Sequence, residues 1–249
     1  MNEEYLTFVG FFGSHSMSPM RKVLMRFFVR PWITCLLLIG SFVSLAWCDA
    51  SDAEELNVDS LQSSDVGKFP KDWKTYPFYS GKANRVYQVA QDGGEKILRA
   101  SDSEDISVPI FKDFDWDIQK YPYLKFRWRA QTLPSGAKET SRETNDSACA
   151  VYVGFGRTSA LKYVWSSNLS VGSYWEKNPG KFYIISQESG SGSLGKWKSE
   201  SVDVVKDYRR FFKKEDTHNP SGIGVMTDGN ATHQAAACDY ADFRISSTP

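Results

Sequence analysis

The sequence predicts an all-β fold, a sandwich or jelly roll of short strands with one short helix. Two observations predict it: short apolar runs recur at even spacing, and residues that favour turns separate them. The composition agrees, because the 249 residues include 41% hydrophobic residues and equal numbers of basic and acidic side chains, 30 of each. These values describe a folded soluble protein, and they give no support for nucleic-acid binding.

The N-terminal part of the chain has the pattern of a secretory signal peptide. An uncharged run extends from Trp32 to Ala46, and the small residues Cys48 and Ala50 precede a cleavage site before Ser51. A positive region precedes the run, formed by Arg21, Lys22, Arg26 and Arg30. A positive start, an apolar middle and a small-residue exit are typical of an exported protein. We therefore expect a periplasmic or secreted protein without a stable membrane span after processing.

Two other interpretations of this run remain open. It could be an uncleaved anchor helix, although it is shorter than the roughly 20 apolar residues that span a bilayer. It could also be a lipoprotein signal ending at Cys48, although Trp47 fits poorly before a lipidated cysteine. Glu3 and Glu4 do not suit a signal peptide, so we expect translation to start at one of three later methionines, Met17, Met20 or Met25.

The chain is therefore divided into three parts. Residues 1–50 form an N-terminal extension with the signal peptide, and residues 69–249 form one β-sandwich domain. Residues 51–68 are polar and acidic without a clear period, which predicts a flexible tether.

The strongest strand pattern lies at Tyr123–Ala130. Leu124, Phe126 and Trp128 alternate there with the basic residues Lys125, Arg127 and Arg129. A period of two over eight residues predicts a half-buried strand with its aromatic residues in the core. A hairpin is predicted around Asp92-Gly93-Gly94. Further strands are predicted at residues 147–155, 161–165, 181–186, 196–200, 222–227 and 237–245.

One helix is predicted at Asp203–Phe212. Val204, Tyr208 and Phe211 fall on one helical stripe, and Asp203 is a suitable N-cap. The long hydrophilic connection Thr132–Asp146 separates two good strands, and loops of that length are often functional.

Only two cysteines follow the predicted cleavage site, Cys149 and Cys238. An isolated pair in an oxidising compartment often forms a disulfide. Both lie in apolar strand-like runs, so we expect pairing to require neighbouring strands. Two buried free thiols are the alternative.

Four short motifs, in this order, resemble a bacterial family known as domain of unknown function 3047. They are Phe126-Arg-Trp-Arg129, Tyr163-Val-Trp165, Asp207-Tyr-Arg209 and Gly224-Val-Met-Thr-Asp-Gly-Asn230. The resemblance covers about residues 69–245. It implies an exported jelly-roll sandwich similar to galactose-binding-like and carbohydrate-binding modules, and it brings no established activity. A second acidic residue, expected near Gly229, is absent, which weakens any metal site there.

The aromatic content of 14% directs attention to ligand binding. Sugar-binding proteins stack aromatic rings on sugars and fix the hydroxyl groups with polar side chains. Arg127 and Arg129 share one strand face and would suit an acidic or hydroxyl-rich ligand. The complete set of candidates is Arg127, Arg129, Asp146, Tyr152, Trp165, Trp175, Asp228 and Asn230.

Each candidate also has a structural interpretation. Trp165 and Trp175 flank a loop rich in Ser, Asn and Gly, where an exposed ring would form a platform, but tryptophans more often pack in a core. Asp228 and Asn230 belong to a turn and could serve only that turn.

Catalysis has little support in the sequence. There is no Gly-x-Ser-x-Gly motif, and the residues after Ala50 include only His218 and His233. Paired carboxylates could act on a polysaccharide, from among Asp146, Asp203, Asp207, Asp228, Asp239 and Asp242. We expect an exported module that binds carbohydrate or another envelope polymer. A polysaccharide lyase or hydrolase and a structural envelope protein with a protein partner are the alternatives. We expect no cofactor, although such sandwiches often carry a structural calcium.

Overall fold

The computed structural model describes residues 53–249, and the predicted signal peptide and N-terminal extension lie outside that range. The described chain forms two six-stranded sheets, and the predicted all-β sandwich is confirmed. Strands are numbered in chain order. Sheet A contains β1 (Glu55–Asn57), β2 (Tyr87–Asp92), β3 (Glu95–Asp102), β5 (Tyr123–Thr132), β10 (Lys198–Asp203) and β12 (Ala236–Ser246). Sheet B contains β4 (Ile110–Asp113), β6 (Cys149–Phe155), β7 (Ser159–Ser166), β8 (Tyr174–Asn178), β9 (Phe182–Ser189) and β11 (Gly222–Met226).

The strand order differs from the order along the chain in both sheets. Sheet A has the order β10-β5-β12-β3-β2, with β1 also paired to β12, and sheet B has the order β4-β11-β6-β7-β9-β8. The pairing of β7 with β9 is parallel, and every other pair of these named strands is antiparallel.

The inner faces of the two sheets form the main core. The alternation predicted on β5 is confirmed, because Leu124, Phe126 and Trp128 are fully buried there. The predicted hairpin is also confirmed, with Asp92 paired to Glu95 across the turn that joins β2 and β3.

Cys149 on β6 and Cys238 on β12 form a disulfide with a Cα–Cα distance of 5.4 Å. The two strands are neighbours across the sandwich rather than within one sheet, because β6 belongs to sheet B and β12 to sheet A. Both side chains point into the core, and the bond joins the sheets face to face.

The described residues include two α-helices, one more than predicted. The predicted one is α2 (Val204–Phe212), which begins where the Asp203 carboxylate accepts the backbone N–H of Lys206 at 2.8 Å. The additional helix, α1 (Ser80–Val86), has only seven residues and buries only Ala83 and Val86, which is too short a stripe to show periodicity.

The predicted tether at residues 51–68 is wrong for the part that the structure describes. Strand β1 pairs with the end of β12, and Val58 and Leu61 are buried in the main core. The Asp59 carboxylate accepts the backbone N–H groups of Leu61 and Phe243, both at 3.0 Å. A three-residue strand shows no period in the sequence, so its pairing could not be read there.

Candidate ligand-binding face

The eight predicted ligand-binding residues do not form one site. The structure places them in four regions: the main core, the outer face of sheet A, a loop beside β11, and the outer face of sheet B. The contacts of each side chain decide whether it has bonding capacity left for a ligand.

Trp165 lies in the main core, so the exposed platform expected at this position is wrong. Its side chain is 0% exposed, packs beside Trp128 at a centroid distance of 6.3 Å, and donates its indole N–H to the Gly190 carbonyl at 3.0 Å. The cause is strand register, because Leu161, Tyr163 and Trp165 alternate along β7 toward sheet A.

Arg129 lies on the outer face of sheet A, as the alternation predicts, but within an ionic network. It donates to Asp239 at 2.7 Å. The same carboxylate accepts Arg99 at 2.9 Å and Gln131 at 2.8 Å, and Asp239 is 0% exposed. A buried carboxylate with three donors around it is a structural anchor for this face.

Arg127 lies two residues away and is held in a similar manner. Its guanidinium donates to both oxygens of Glu95 at 2.7 Å and also bonds Asp242. The ring of Trp197 lies over both arginines, 4.9 Å from the guanidinium carbon of Arg127 and 4.6 Å from that of Arg129. Trp197 was not predicted as part of this cluster, because it precedes β10 in a turn whose position over β5 the sequence does not show.

Asp146, Asp228 and Asn230 lie together in a loop cluster beside the end of β11. Asp146 accepts the backbone N–H groups of Ala231 at 3.1 Å and Thr232 at 2.7 Å, and the Asp228 carboxylate accepts that of Asn230 at 3.4 Å. These bonds shape the turn.

Gly229 is required within that turn. A Cβ there would lie 1.9 Å from the backbone oxygen of Gln234. Together with the bonds of Asp146, this close approach favours the structural interpretation of the loop cluster.

Tyr152 and Trp175 share the outer face of sheet B, which we call the sheet B face. The register places one residue of each strand in a row across the sheet. From β4 to β8 the row is Phe111, Gly224, Tyr152, Lys162, Ile184 and Trp175. Five strand spacings give this row a length of about 24 Å.

The sheet B face carries a second apolar cluster, distinct from the main core. Its buried members are Tyr76, Phe111, Ala150, Tyr152, Ala160, Val164, Phe182, Ile184 and Met226, with Tyr79 and Trp175 partly buried against them. The rings of Tyr152 and Phe182 lie parallel, 3° apart in plane, with their centroids 6.1 Å apart. Gly224 leaves room for the ring of Phe111, since a Cβ there would lie 2.9 Å from that ring.

The long connection between β5 and β6 contributes a carboxyl group at the end of this face. Ser166 follows Lys162 and Val164 on the outward side of β7, and it donates to Glu139 Oε2 at 2.7 Å. Glu139 is 0% exposed, and its other oxygen, Oε1, has no hydrogen-bond partner among residues 53–249. Burial raises the pKa of Glu139, while the bond from Ser166, the backbone N–H groups of Glu139 and Ser167, and the positive charge of Lys162 oppose that rise.

Sequence reasoning missed Glu139 as a functional candidate. The available signal was the length of the Thr132–Asp146 connection, which marked the loop but no particular residue in it.

A second titratable carboxyl lies at the side of the sandwich, on the edge strand β10. Burial raises the pKa of Glu200 to about 7, and the charge of Glu188 adds to the effect. Trp128 donates its indole N–H to Glu200 at 3.0 Å, and Lys198 pairs with Glu188 at 3.3 Å.

Within residues 53–249 there is no group of three His, Cys, Asp or Glu side chains placed to hold a metal ion. The structural calcium therefore stays a prediction. Neither described helix has the length and apolar character needed to cross a membrane.

Three solved structures illustrate what the fold is similar to. The family 11 carbohydrate-binding module of the cellulosomal cellulase Lic26A-Cel5E of Clostridium thermocellum has 10% identity and a TM-score of 0.39, over 77% of this chain and 94% of that one. A family 29 carbohydrate-binding module from Piromyces equi has 11% identity and a TM-score of 0.31, over 79% and 92%. An agarase has 10% identity and a TM-score of 0.35, over 78% of this chain and 25% of that one.

The curated proteins contain no match to this chain. The family model described as "Protein of unknown function (DUF3047)" matches residues 71–244, which include ten of the twelve strands completely and most of β12. The chain therefore belongs to the DUF3047 family.

Proposed function

We propose that this protein is an exported module that binds carbohydrate on the sheet B face. The observation that carries the proposal is the row across sheet B, in which Tyr152 and Trp175 lie on one face with Phe182 beside them. Sugar rings have apolar C–H surfaces that pack on aromatic rings. Trp175 is partly exposed, whereas Tyr152 and Phe182 are buried in the full-length chain, so a sugar would contact Trp175 first and would reach the other two rings only if they became uncovered.

Glu139 supplies a polar group of the kind that such a site needs. A buried carboxyl oxygen without a hydrogen-bond partner destabilises the folded protein, by roughly 1–3 kcal/mol for a typical polar group. A sugar hydroxyl that donates to Glu139 Oε1 would recover that cost, which makes the acceptor a source of specificity.

The outer face of sheet A is a weaker candidate. Arg127 and Arg129 are bonded to acidic side chains of the same face, so a ligand would have to replace bonds that already exist.

The test uses protein that is expressed from the full-length sequence in a bacterial host and collected after export, the form in which the proposed function would operate. Affinity electrophoresis through gels that contain single polysaccharides identifies a ligand, and titration calorimetry gives its dissociation constant. The panel contains neutral glucans, galactans and acidic glycans.

The decisive variant is Trp175→Ala, since Trp175 lies on the edge strand of sheet B and its loss should leave the main core intact. We expect about tenfold weaker binding, equivalent to about 1.4 kcal/mol. The matched control is Trp197→Ala, which removes a partly buried tryptophan from sheet A and should leave affinity unchanged. No binding to any glycan of the panel, or equal losses in both variants, would contradict the proposal.

A further inference from the structure

A turn just before α1 presents a phenylalanine to solvent. The turn consists of Tyr76, Pro77, Phe78 and Tyr79, and the backbone N–H of Tyr79 donates to the carbonyl of Tyr76 at 3.0 Å. Proline at the second position and a φ of 71° at the third, Phe78, are the features of a type II turn. The side chain of Phe78 is completely exposed.

Phenylalanine is poorly suited to this position of a turn. Glycine or asparagine is usual there, because a bulky side chain at positive φ strains the backbone. Six non-glycine residues between 53 and 249 have a positive φ, and the five besides Phe78 are aspartate, lysine or histidine. A completely exposed ring gains no packing inside the protein, so nothing within the described chain compensates for the strain at Phe78.

The neighbouring structure holds the turn in this strained form. On one side, Lys74 and Phe111 exchange backbone hydrogen bonds at 2.8 and 2.7 Å, which fix the chain to β4. On the other side, the backbone N–H of Ala83 in α1 donates to the carbonyl of Tyr79 at 2.9 Å. A ring on a turn that is fixed at both ends loses little conformational freedom when it binds a partner.

The turn lies at the β4 end of the sheet B face. Tyr76 belongs to the apolar cluster of that face, with its ring centroid 5.2 Å from that of Phe111, and Tyr79 packs against the same cluster. Trp175 lies at the opposite end of the row, on β8. A ligand can therefore contact Phe78 and Trp175 while the rings between them stay buried.

The charges near the turn do not favour a membrane as the partner. A membrane-binding surface needs several exposed apolar side chains or a cluster of basic side chains that attracts anionic lipids. Within this turn Phe78 is the one large apolar side chain that is exposed. The nearby basic residues already have acidic partners, since Lys74 pairs with Asp113, and Arg85 pairs with Glu104 at 3.3 Å.

A sugar fits the same surroundings better. The apolar C–H face of a sugar packs on a single exposed aromatic ring such as that of Phe78. The exposed Lys82 lies beside the turn, with its Nζ 5.2 Å from the centroid of the Tyr79 ring. An ammonium group is a hydrogen-bond donor of the kind that fixes sugar hydroxyl groups.

We propose that Phe78 is a second aromatic contact for the glycan, so that one polymer chain is held at both ends of the sheet B face. This inference rests on the proposed carbohydrate-binding function and gives it a ligand class, a polysaccharide rather than a short oligosaccharide. The row between the two ends is about 24 Å long, so a disaccharide reaches one ring at a time. A polymer that contacts Phe78 and Trp175 together binds more tightly, because the first contact raises the effective concentration at the second.

The decisive variant is Phe78→Gly, because glycine adopts a positive φ without strain. We expect its melting temperature to equal or exceed that of the native chain, while its affinity for the polymer falls about tenfold and its affinity for a disaccharide changes less than twofold. Titration calorimetry of the exported protein measures the affinities for mixed-linkage glucan, galactan and polygalacturonate, each as the polymer and as a disaccharide fragment. Scanning calorimetry measures the melting temperature.

Two further variants complete the test. Phe78→Trp restores an aromatic ring and should keep the native affinity for the polymer. Val66→Ala is the matched control and should also keep it, because it removes an exposed apolar side chain from a turn next to β2 of sheet A.

Each contrary result has a separate meaning. Native affinity of Phe78→Gly for the polymer, with weaker binding by Trp175→Ala, would overturn this inference and leave the proposed function standing. A lower melting temperature of Phe78→Gly would show that the ring is structural, and Phe78-dependent sedimentation with phosphatidylglycerol vesicles would assign the ring to a membrane. Either result would overturn the inference, whereas binding to no glycan at all would overturn the proposed function as well.

Discussion

The outer faces of the two sheets use similar residue types to different ends. On sheet A, Arg127 and Arg129 are enclosed by acidic partners and covered by Trp197. On sheet B, Tyr152, Phe182 and Trp175 belong to an apolar cluster beside a carboxyl oxygen of Glu139 that has no partner in the described chain. Residue type alone therefore does not identify a binding face. The hydrogen bonds and ion pairs already made within the protein decide which polar atoms can still bind a ligand.

The largest expected effect comes from the bond that holds the two faces in alignment. We expect replacement of both Cys149 and Cys238 by alanine to lower the free energy of unfolding by about 4–5 kcal/mol, the chain-entropy value for a loop of this length. Urea denaturation of the exported protein, with and without reductant, measures the loss. A loss under about 1 kcal/mol would show that the core alone aligns the sheets.

Asp239→Ala tests whether the sheet A face is structural. Removing this buried carboxylate leaves Arg99 and Arg129 without their shared partner, so we expect a loss of about 2–4 kcal/mol in unfolding free energy. Affinity for the glycan should be unchanged at a temperature where the variant is folded. Reduced affinity with retained stability would instead place the ligand on sheet A.

Glu200, on the edge strand β10, makes the free energy of unfolding depend on pH. Its pKa rises from 4.5 to about 7 on folding, so the folded protein holds this proton more tightly than the unfolded chain. The stability that the proton supplies is present below about pH 4.5 and is lost as pH rises through 7. The loss is at most about 3 kcal/mol, and less because the carboxyl group is partly solvated.

Glu200→Gln checks this sign directly. The variant cannot ionise at this position, so its stability relative to the native chain should increase between pH 4.5 and pH 7.5. Chemical denaturation at several pH values measures the difference, and Glu188→Gln is the control for the neighbouring charge. A difference independent of pH would contradict the assignment to Glu200.

Much of the fold could be predicted because alternation along a strand is a local property. The inward residues of β5 and the hairpin between β2 and β3 follow from patterns within a few residues. Strand β1 and helix α1 were missed because each is short, and their burial depends on distant partners.

The candidate site was less accessible to sequence reasoning. Trp165 and Trp175 flank the same loop and look alike in the sequence, yet register turns the first toward the core and the second outward. Glu139 was missed because its role depends on where a long connection returns to the sheet. The contacts of Arg129 with Asp239, 110 residues apart in sequence, are likewise a product of the sheet order.

Hydrogen–deuterium exchange of the exported protein, with and without its glycan, tests the central claim most directly. We predict that the glycan slows exchange in β8, in β9 and in the connection that carries Glu139, with no change in β3, β5 and the turn at Trp197. Protection confined to the sheet A strands and the Trp197 turn would contradict the claim that sheet B carries the binding face.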